Sequence, residues 1–173
     1  MNSQEHANTS KMGLWMFIIG FLLAFALLVA FFSGMLDKQY NPNQNPLSVS
    51  TPAGIQVALK QNVMGHYVTA GEINGQRVTF LLDTGATNVS IGARLGQELG
   101  LIPGRRYTAL TANGSVTVAQ TSIQELKIGE ITLYNVDANL NPGMDSDKIL
   151  LGMSALKQLE WTQRGDVLTL KTF

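Results

Sequence analysis

From Met12 to Leu36 the chain carries no charged residue, and that run limits what its first quarter can become. Leu14-Trp15-Met16-Phe17-Ile18-Ile19-Gly20-Phe21-Leu22-Leu23 opens an apolar stretch long enough to cross a hydrocarbon layer of ~30 Å as a helix. The run predicts one transmembrane helix over 12–36, behind an N-terminal tail, 1–11. A cleaved signal peptide needs a shorter apolar core and a small-x-small cleavage site, and Ala30-Phe31-Phe32-Ser33-Gly34 is a poor one. Trp15, near one end, suits the aromatic belt at a membrane interface. Lys11 and Lys38 flank the run on either side, so positive charge barely selects an orientation. The commoner arrangement for an N-terminal anchor keeps the short tail in the cytoplasm. The expected location is the cell inner membrane, single-pass, with the larger part on the periplasmic or extracytoplasmic side.

Composition removes several functions. The chain of 173 residues has no cysteine, which excludes a thiol nucleophile, a disulfide scaffold and a cysteine-based zinc site. Its 12 basic and 12 acidic residues balance, so no nucleic-acid partner is expected.

After the anchor, Asn41-Pro42-Asn43-Gln44-Asn45-Pro46 and Ser50-Thr51-Pro52-Ala53-Gly54 carry turn chemistry and little apolar periodicity. They predict a flexible or extended linker over 37–62, within which Ile55-Gln56-Val57-Ala58-Leu59 could add a strand. Asn45-Pro46-Leu47-Ser48-Val49 is a candidate for self-cleavage of that linker. From Val63 to the end, 63–173, short alternating runs separated by glycine turns predict a mainly β domain. Tyr67–Ile73 and Arg77–Leu82 flank Asn74-Gly75, and Tyr107–Thr111 and Val116–Gln120 flank Asn113-Gly114, both favoured hairpin turns. Ile123–Ile128 and Ile131–Val136 are two more strands, joined by Gly129-Glu130. Trp161 to Phe173 reads as a strand pair turning at Arg164-Gly165-Asp166. Helix is confined to Ala93–Leu99 and Ser154–Leu159.

Within this domain an apolar strand runs into a turn that bears a carboxylate, Leu81-Leu82-Asp83-Thr84-Gly85-Ala86-Thr87. Two carboxyl groups about 3 Å apart cannot both ionise, so one is poised as a base toward water and the other as an acid toward a carbonyl oxygen. The chain has one such turn, so a pair requires two chains with Asp83 meeting across a two-fold axis. Thr84 would hydrogen-bond across that axis, and Gly85 would let backbone approach the acids. Asp-Thr-Gly alone is weakly specific. Its setting adds weight: the strand entering it, the Ala86-Thr87 following it, and the later Ile149-Leu150-Leu151-Gly152-Met153.

From about His66 to Leu170 the chain resembles the retroviral-type (retropepsin-like) aspartic proteases, and within that clan its bacterial membrane-anchored members. The matching stretches are Gly65-His66-Tyr67, Ile73-Asn74-Gly75, Phe80 to Thr87, Leu99-Gly100-Leu101, Thr111-Ala112-Asn113-Gly114 and Leu150-Leu151-Gly152-Met153-Ser154. The resemblance implies a mainly β, single-lobed closed barrel of the acid protease type, with one or two short helices beside the transmembrane one. It also implies an endopeptidase that uses no cofactor or metal and is active as a homodimer on a peptide or protein substrate. Asp83 is then catalytic, supported by Thr84 and Gly85. Ala86, Thr111, Ala112, Asn113 and Gly114 are then substrate-binding, the last four in a flap over the peptide. Retroviral enzymes usually end in a strand that interleaves at the dimer contact, and here an extra turn at Arg164-Gly165-Asp166 points to a different contact.

Blander readings compete for several of these residues. Asp83 could cap a turn in an ordinary barrel, and a non-catalytic peptide-binding or scaffold module on the same fold is the alternative function. His66, the domain's single histidine, lacks the partners of a serine triad. Asp145-Ser146-Asp147 falls short of the ligand count for a calcium or magnesium site and reads as a solvated loop. Arg105-Arg106 reads as a solvated turn, and Arg164-Gly165-Asp166 as a β-turn.

Overall fold

The computed structural model describes residues 3–52, 54–111 and 114–173, with side chains from residue 13 onward. The chain divides into two units, Met1–Lys38 and Gln39–Phe173. The first is helical. Helix α1 (Ser3–Tyr40) contains an apolar span, Gly13–Tyr40, long enough to cross a membrane. It extends beyond the expected 12–36 at both ends.

The second unit is built from strands. In chain order it contains β1 (Ser48–Thr51), β2 (Gly54–Lys60), β3 (Val68–Ile73), β4 (Gln76–Leu82), β5 (Val89–Gly92), α2 (Ala93–Glu98) and β6 (Arg106–Thr111). Then follow β7 (Gly114–Ile128), β8 (Ile131–Asn141), β9 (Lys148–Leu151), α3 (Met153–Leu156), β10 (Glu160–Arg164) and β11 (Val167–Lys171). Asn74 and Gly75 take φ of 49° and 77°, and the β3–β4 hairpin forms on them in the register Ile73↔Gln76. Strand β5 was not foreseen. All four of its residues are buried, so it shows none of the alternation by which half-exposed strands are recognised.

The larger sheet has the order β3-β4-β9-β5-β8-β7-β6, and β3 also pairs with β7 through Glu72↔Lys127 and Ile73↔Leu126. That last pairing closes β3, β4, β9, β5, β8 and β7 into a barrel. Closure needs a glycine: a Cβ on Gly71 would lie 2.3 Å from the Lys127 carbonyl oxygen and 2.6 Å from the Phe80 ring. Strand β7 serves both sides, pairing with β6 at its start and β3 near its end. It is one strand of 15 residues where two were expected. Phe80, Ile91, Ile123, Leu126, Ile128, Ile131, Ile149 and Leu151 fill the core, each fully buried.

The smaller sheet, β1-β2-β11-β10, corrects the expected linker over 37–62. Ile55–Leu59 lies inside β2, as its apolar alternation allowed. What holds the rest is asparagine. Asn43 is buried, and its Nδ2 donates to the carbonyls of Lys60 (2.8 Å) and Val68 (2.7 Å) while its Oδ1 accepts from the Lys60 N–H (2.7 Å). Asn62 Nδ2 donates to the Tyr40 carbonyl, and its Oδ1 accepts from the N–H groups of Met64 and His66. Amide side chains that bond backbone on both sides convert a turn-rich segment into a fixed part of the domain.

Candidate active site

Strands β4 and β9 lie parallel, with Leu81 beside Leu150 and Leu82 beside Leu151. The chain leaves β4 at Asp83, whose N–H still donates to the Leu151 carbonyl at 3.2 Å. Residues 83–88 then cross the end of β9. Met153 N–H donates to the Ala86 carbonyl (2.8 Å) and Ser154 N–H to that of Thr87 (2.9 Å). The crossing is tight at Gly152, where a Cβ would lie 2.3 Å from the Asn88 carbonyl oxygen and 2.7 Å from that of Ala86. No other residue fits there without pushing the turn away.

Inside the turn, Ala86 N–H donates to the Asp83 carbonyl (3.2 Å) and Gly85 N–H donates to Asp83 Oδ1 (2.9 Å). Among the described residues, the carboxylate is thereby oriented by backbone alone. Asp83 and Ala86 are half-buried, whereas Thr84, Gly85 and Thr87 are exposed, so the acid sits at the edge of an open surface. Behind the turn, the buried Ser154 hydroxyl donates to the Asp137 carbonyl (2.7 Å) and accepts from Val89 N–H (2.9 Å). This clamp ties α3, β5 and β8 together beneath the acid. Sequence reasoning had included Ser154 in a matching stretch without reading its role, because a buried hydroxyl has no pattern of its own.

The hairpin of β6 and β7 holds the other expected residues. Thr111 faces Gly114 in the last register pair, and its hydroxyl donates to the Gly114 carbonyl at 2.7 Å. Both are exposed, as is Leu110 at 86%. Ala112 and Asn113 lie outside the described residues. At its base the hairpin is bonded through Gly104 N–H to the Gln120 carbonyl and Gln120 N–H to that of Arg105. One further bond joins it to the acid-bearing loop, from Asn88 Nδ2 to the Tyr107 hydroxyl at 3.3 Å. Neither residue was singled out from the sequence.

Asp147 is engaged by an arginine. Its Oδ1 accepts from Arg94 Nη2 at 2.7 Å, and Arg94 Nη1 reaches Glu98 at 2.7 Å. These bonds, Asp147 first, raise the guanidinium pKa above its ordinary value. Arg164-Gly165-Asp166 forms the turn between β10 and β11, with Gly165 at φ 59° and the Asp166 carbonyl accepting from Gln61 N–H.

Residues 69–158 match the family described as gag-polyprotein putative aspartyl protease, a span that holds the Asp83 turn, the hairpin and the Gly152 crossing. The chain belongs to the retropepsin-like aspartic proteases. An uncharacterized protein from the cobV 5′ region of Sinorhizobium sp. is 30% identical over 169 residues, covering 93% of this chain and 72% of that one. An uncharacterized Rickettsia prowazekii (strain Madrid E) protein is 29% identical over 114 residues, which span 64% of this chain and 48% of its own length. Among solved structures, a retropepsin-like aspartic protease from Rickettsia conorii superposes with a TM-score of 0.55 at 27% identity, over 66% of this chain and 98% of that one. The family match, 69–158, lies wholly within the second unit.

Proposed function

We propose that this chain is a membrane-anchored aspartic endopeptidase that hydrolyses peptide bonds as a homodimer, with Asp83 of each chain forming the catalytic pair. The observation that carries the reading is the presentation of Asp83. A single carboxylate is fixed by Gly85 N–H at the rim of an exposed turn, and the crossing at Gly152 holds that turn from below. Such a carboxylate is half of a dyad. A second copy, meeting the exposed Thr84 and Gly85 across a two-fold axis, supplies the other half.

In the pair, the ionised Asp83 accepts a proton from water while the water oxygen attacks the scissile carbonyl carbon. The protonated Asp83 gives its proton to the carbonyl oxygen, so no bare oxyanion builds up. Collapse of the tetrahedral species breaks the C–N bond. The leaving nitrogen takes a proton from the dyad and the hydroxyl returns one, which restores the single shared proton. Thr84 bonds across the axis and Gly85 keeps the acids coplanar. Ala86, with Thr111, Ala112, Asn113 and Gly114 of the hairpin, holds an extended peptide by strand-like backbone pairing. The apolar helix anchors the enzyme in the inner membrane, with the domain on the periplasmic side.

The test is Asp83→Asn in the full chain, assayed on an unstructured protein across about pH 4 to 7. Cleavage should fall by at least about a thousandfold, with melting temperature and association unchanged. Retained cleavage would refute the assignment and leave a peptide-binding module.

A further inference from the structure

The loop between β2 and β3, residues 61–67, turns its polar groups inward and its apolar side chains outward. Its bonds close on one buried side chain: Asn62 Oδ1 accepts from the N–H groups of Met64 (3.0 Å) and His66 (2.9 Å). The backbone adds Asn62 N–H to the His66 carbonyl (2.8 Å) and Gly65 N–H to the Asn62 carbonyl (3.0 Å), while Gln61 Nε2 donates to the Gly65 carbonyl (2.6 Å). Gly65 takes φ of 82°, a conformation that a side chain would strain. Val63 and Met64 stand at the tip of this fixed loop, 74% and 55% exposed, and neither belongs to the core. Together they form a small apolar wedge.

Chain connectivity places the wedge at the level of a membrane surface. The uncharged run ends at Leu36, followed by Asp37 and Lys38, and the apolar span that contains it ends at Tyr40, which already belongs to the second unit. Four residues of helix rise about 6 Å. The headgroup layer on each side of the hydrocarbon is about 5–7 Å thick, so Tyr40 falls within that layer when the span is embedded. Asn62 Nδ2 donates to the Tyr40 carbonyl at 2.9 Å. The loop is therefore one hydrogen bond from a residue at headgroup depth.

The surroundings of Tyr40 suit that depth. Lys148 Nζ lies over its ring, 3.8 Å from the centroid. Amphipathic rings and the ammonium heads of lysines are the groups that settle where hydrocarbon gives way to lipid headgroups.

We propose that Val63 and Met64 insert into the lipid headgroup layer as a second membrane contact beside the helix, so that the domain rests on the bilayer surface. The proposal rests on the membrane-anchored reading given above. Lipid is the occupant that fits, because the wedge continues, at the distance of one hydrogen bond, the apolar span which that reading embeds. Docking would also set the height of the acid. The Tyr67 carbonyl, at the end of the loop, accepts from Leu82 N–H (3.0 Å), and Leu82 precedes Asp83. By the reach of the intervening chain, Asp83 is held within about 20 Å of the loop tip.

The test uses the full-length chain reconstituted in phosphatidylcholine vesicles. It has no cysteine of its own, so V63C, M64C, I102C and F25C each carry a single bimane label. Ile102 is 81% exposed on another loop, and Phe25 lies near the middle of the apolar span. Lipid bearing a nitroxide at the top of its acyl chains should quench V63C and M64C severalfold more than I102C, since interfacial apolar side chains settle at that depth. Lipid bearing the nitroxide deep in the chains should quench F25C. If F25C is quenched while V63C and M64C are quenched no more than I102C, the loop does not dock and the anchored reading stands. If F25C escapes quenching, the anchored reading falls and the proposal with it. Labels at V63C and M64C that are shielded from aqueous iodide yet untouched by nitroxide lipid would mean that a second copy covers the loop, which also overturns the proposal.

Discussion

The Asp83 turn and the described end of the β6–β7 hairpin, Thr111 and Gly114, both lie at the surface, yet they are held in opposite ways. The Asp83 turn is bonded to β9 through Leu151 and to α3 through Met153 and Ser154, and it rests on a glycine that admits no side chain. Among the described residues, the hairpin end bonds to itself through Thr111 and Gly114, and lower down a bond of Tyr107 with Asn88 links the hairpin to the acid-bearing loop. On the proposed function, a group that meets its twin within hydrogen-bond distance is positioned by chain crossing. The hairpin end, proposed to cover a peptide, carries few bonds among the described residues that would have to break.

The hardest way to break that contrast is Gly152→Val. Its side chain would meet two carbonyl oxygens that belong to backbone, so the turn must shift. We expect a destabilisation of about 3 kcal/mol in urea unfolding and loss of cleavage. Ser154→Ala should come next, at about 1–3 kcal/mol, because it leaves the buried Val89 N–H without an acceptor; thermal and urea melts would measure it. Thr111→Ala should be smallest in stability, within about 0.5 kcal/mol, while raising KM severalfold through the hairpin's hold on peptide. A Thr111→Ala change as costly to stability as Ser154→Ala would erase the distinction between the two turns.

The sequence made most of the barrel legible where one face is buried and one wet. Alternation located β3, β4 and β8, and Asn74-Gly75 fixed the β3–β4 register because both residues take positive φ there. Strand β5 was hidden by burial on both faces. Strand β7 was read as two because Thr121 and Ser122 interrupt its apolar pattern, yet Thr121 is buried with its hydroxyl on the Ile102 carbonyl. The expected linker, 37–62, differs most from the structure, which places β1 and β2 within it. Asn and Pro signal turns correctly, but the letters do not say whether an amide side chain faces water or, as with Asn43, the backbone of β2 and β3.

At the site, Gly152 was legible because the chain crossing there leaves no room for a side chain, and the Asp83 turn because an apolar strand leads into it. Ser154 and the Asn88–Tyr107 link were not, since each depends on tertiary contacts between residues far apart in the chain.

The central claim is that each chain contributes one Asp83 to a shared site. Co-expressing the parent with an equal amount of Asp83→Asn chain, and measuring cleavage per parent chain in the co-assembled protein, tests it most directly. If random dimers form, only about a quarter have both acids, and activity per parent chain should fall to about half. A tenfold excess of the variant should suppress it roughly tenfold. Activity per parent chain that stays constant across all ratios would contradict the account, because it would place a complete active site within one chain.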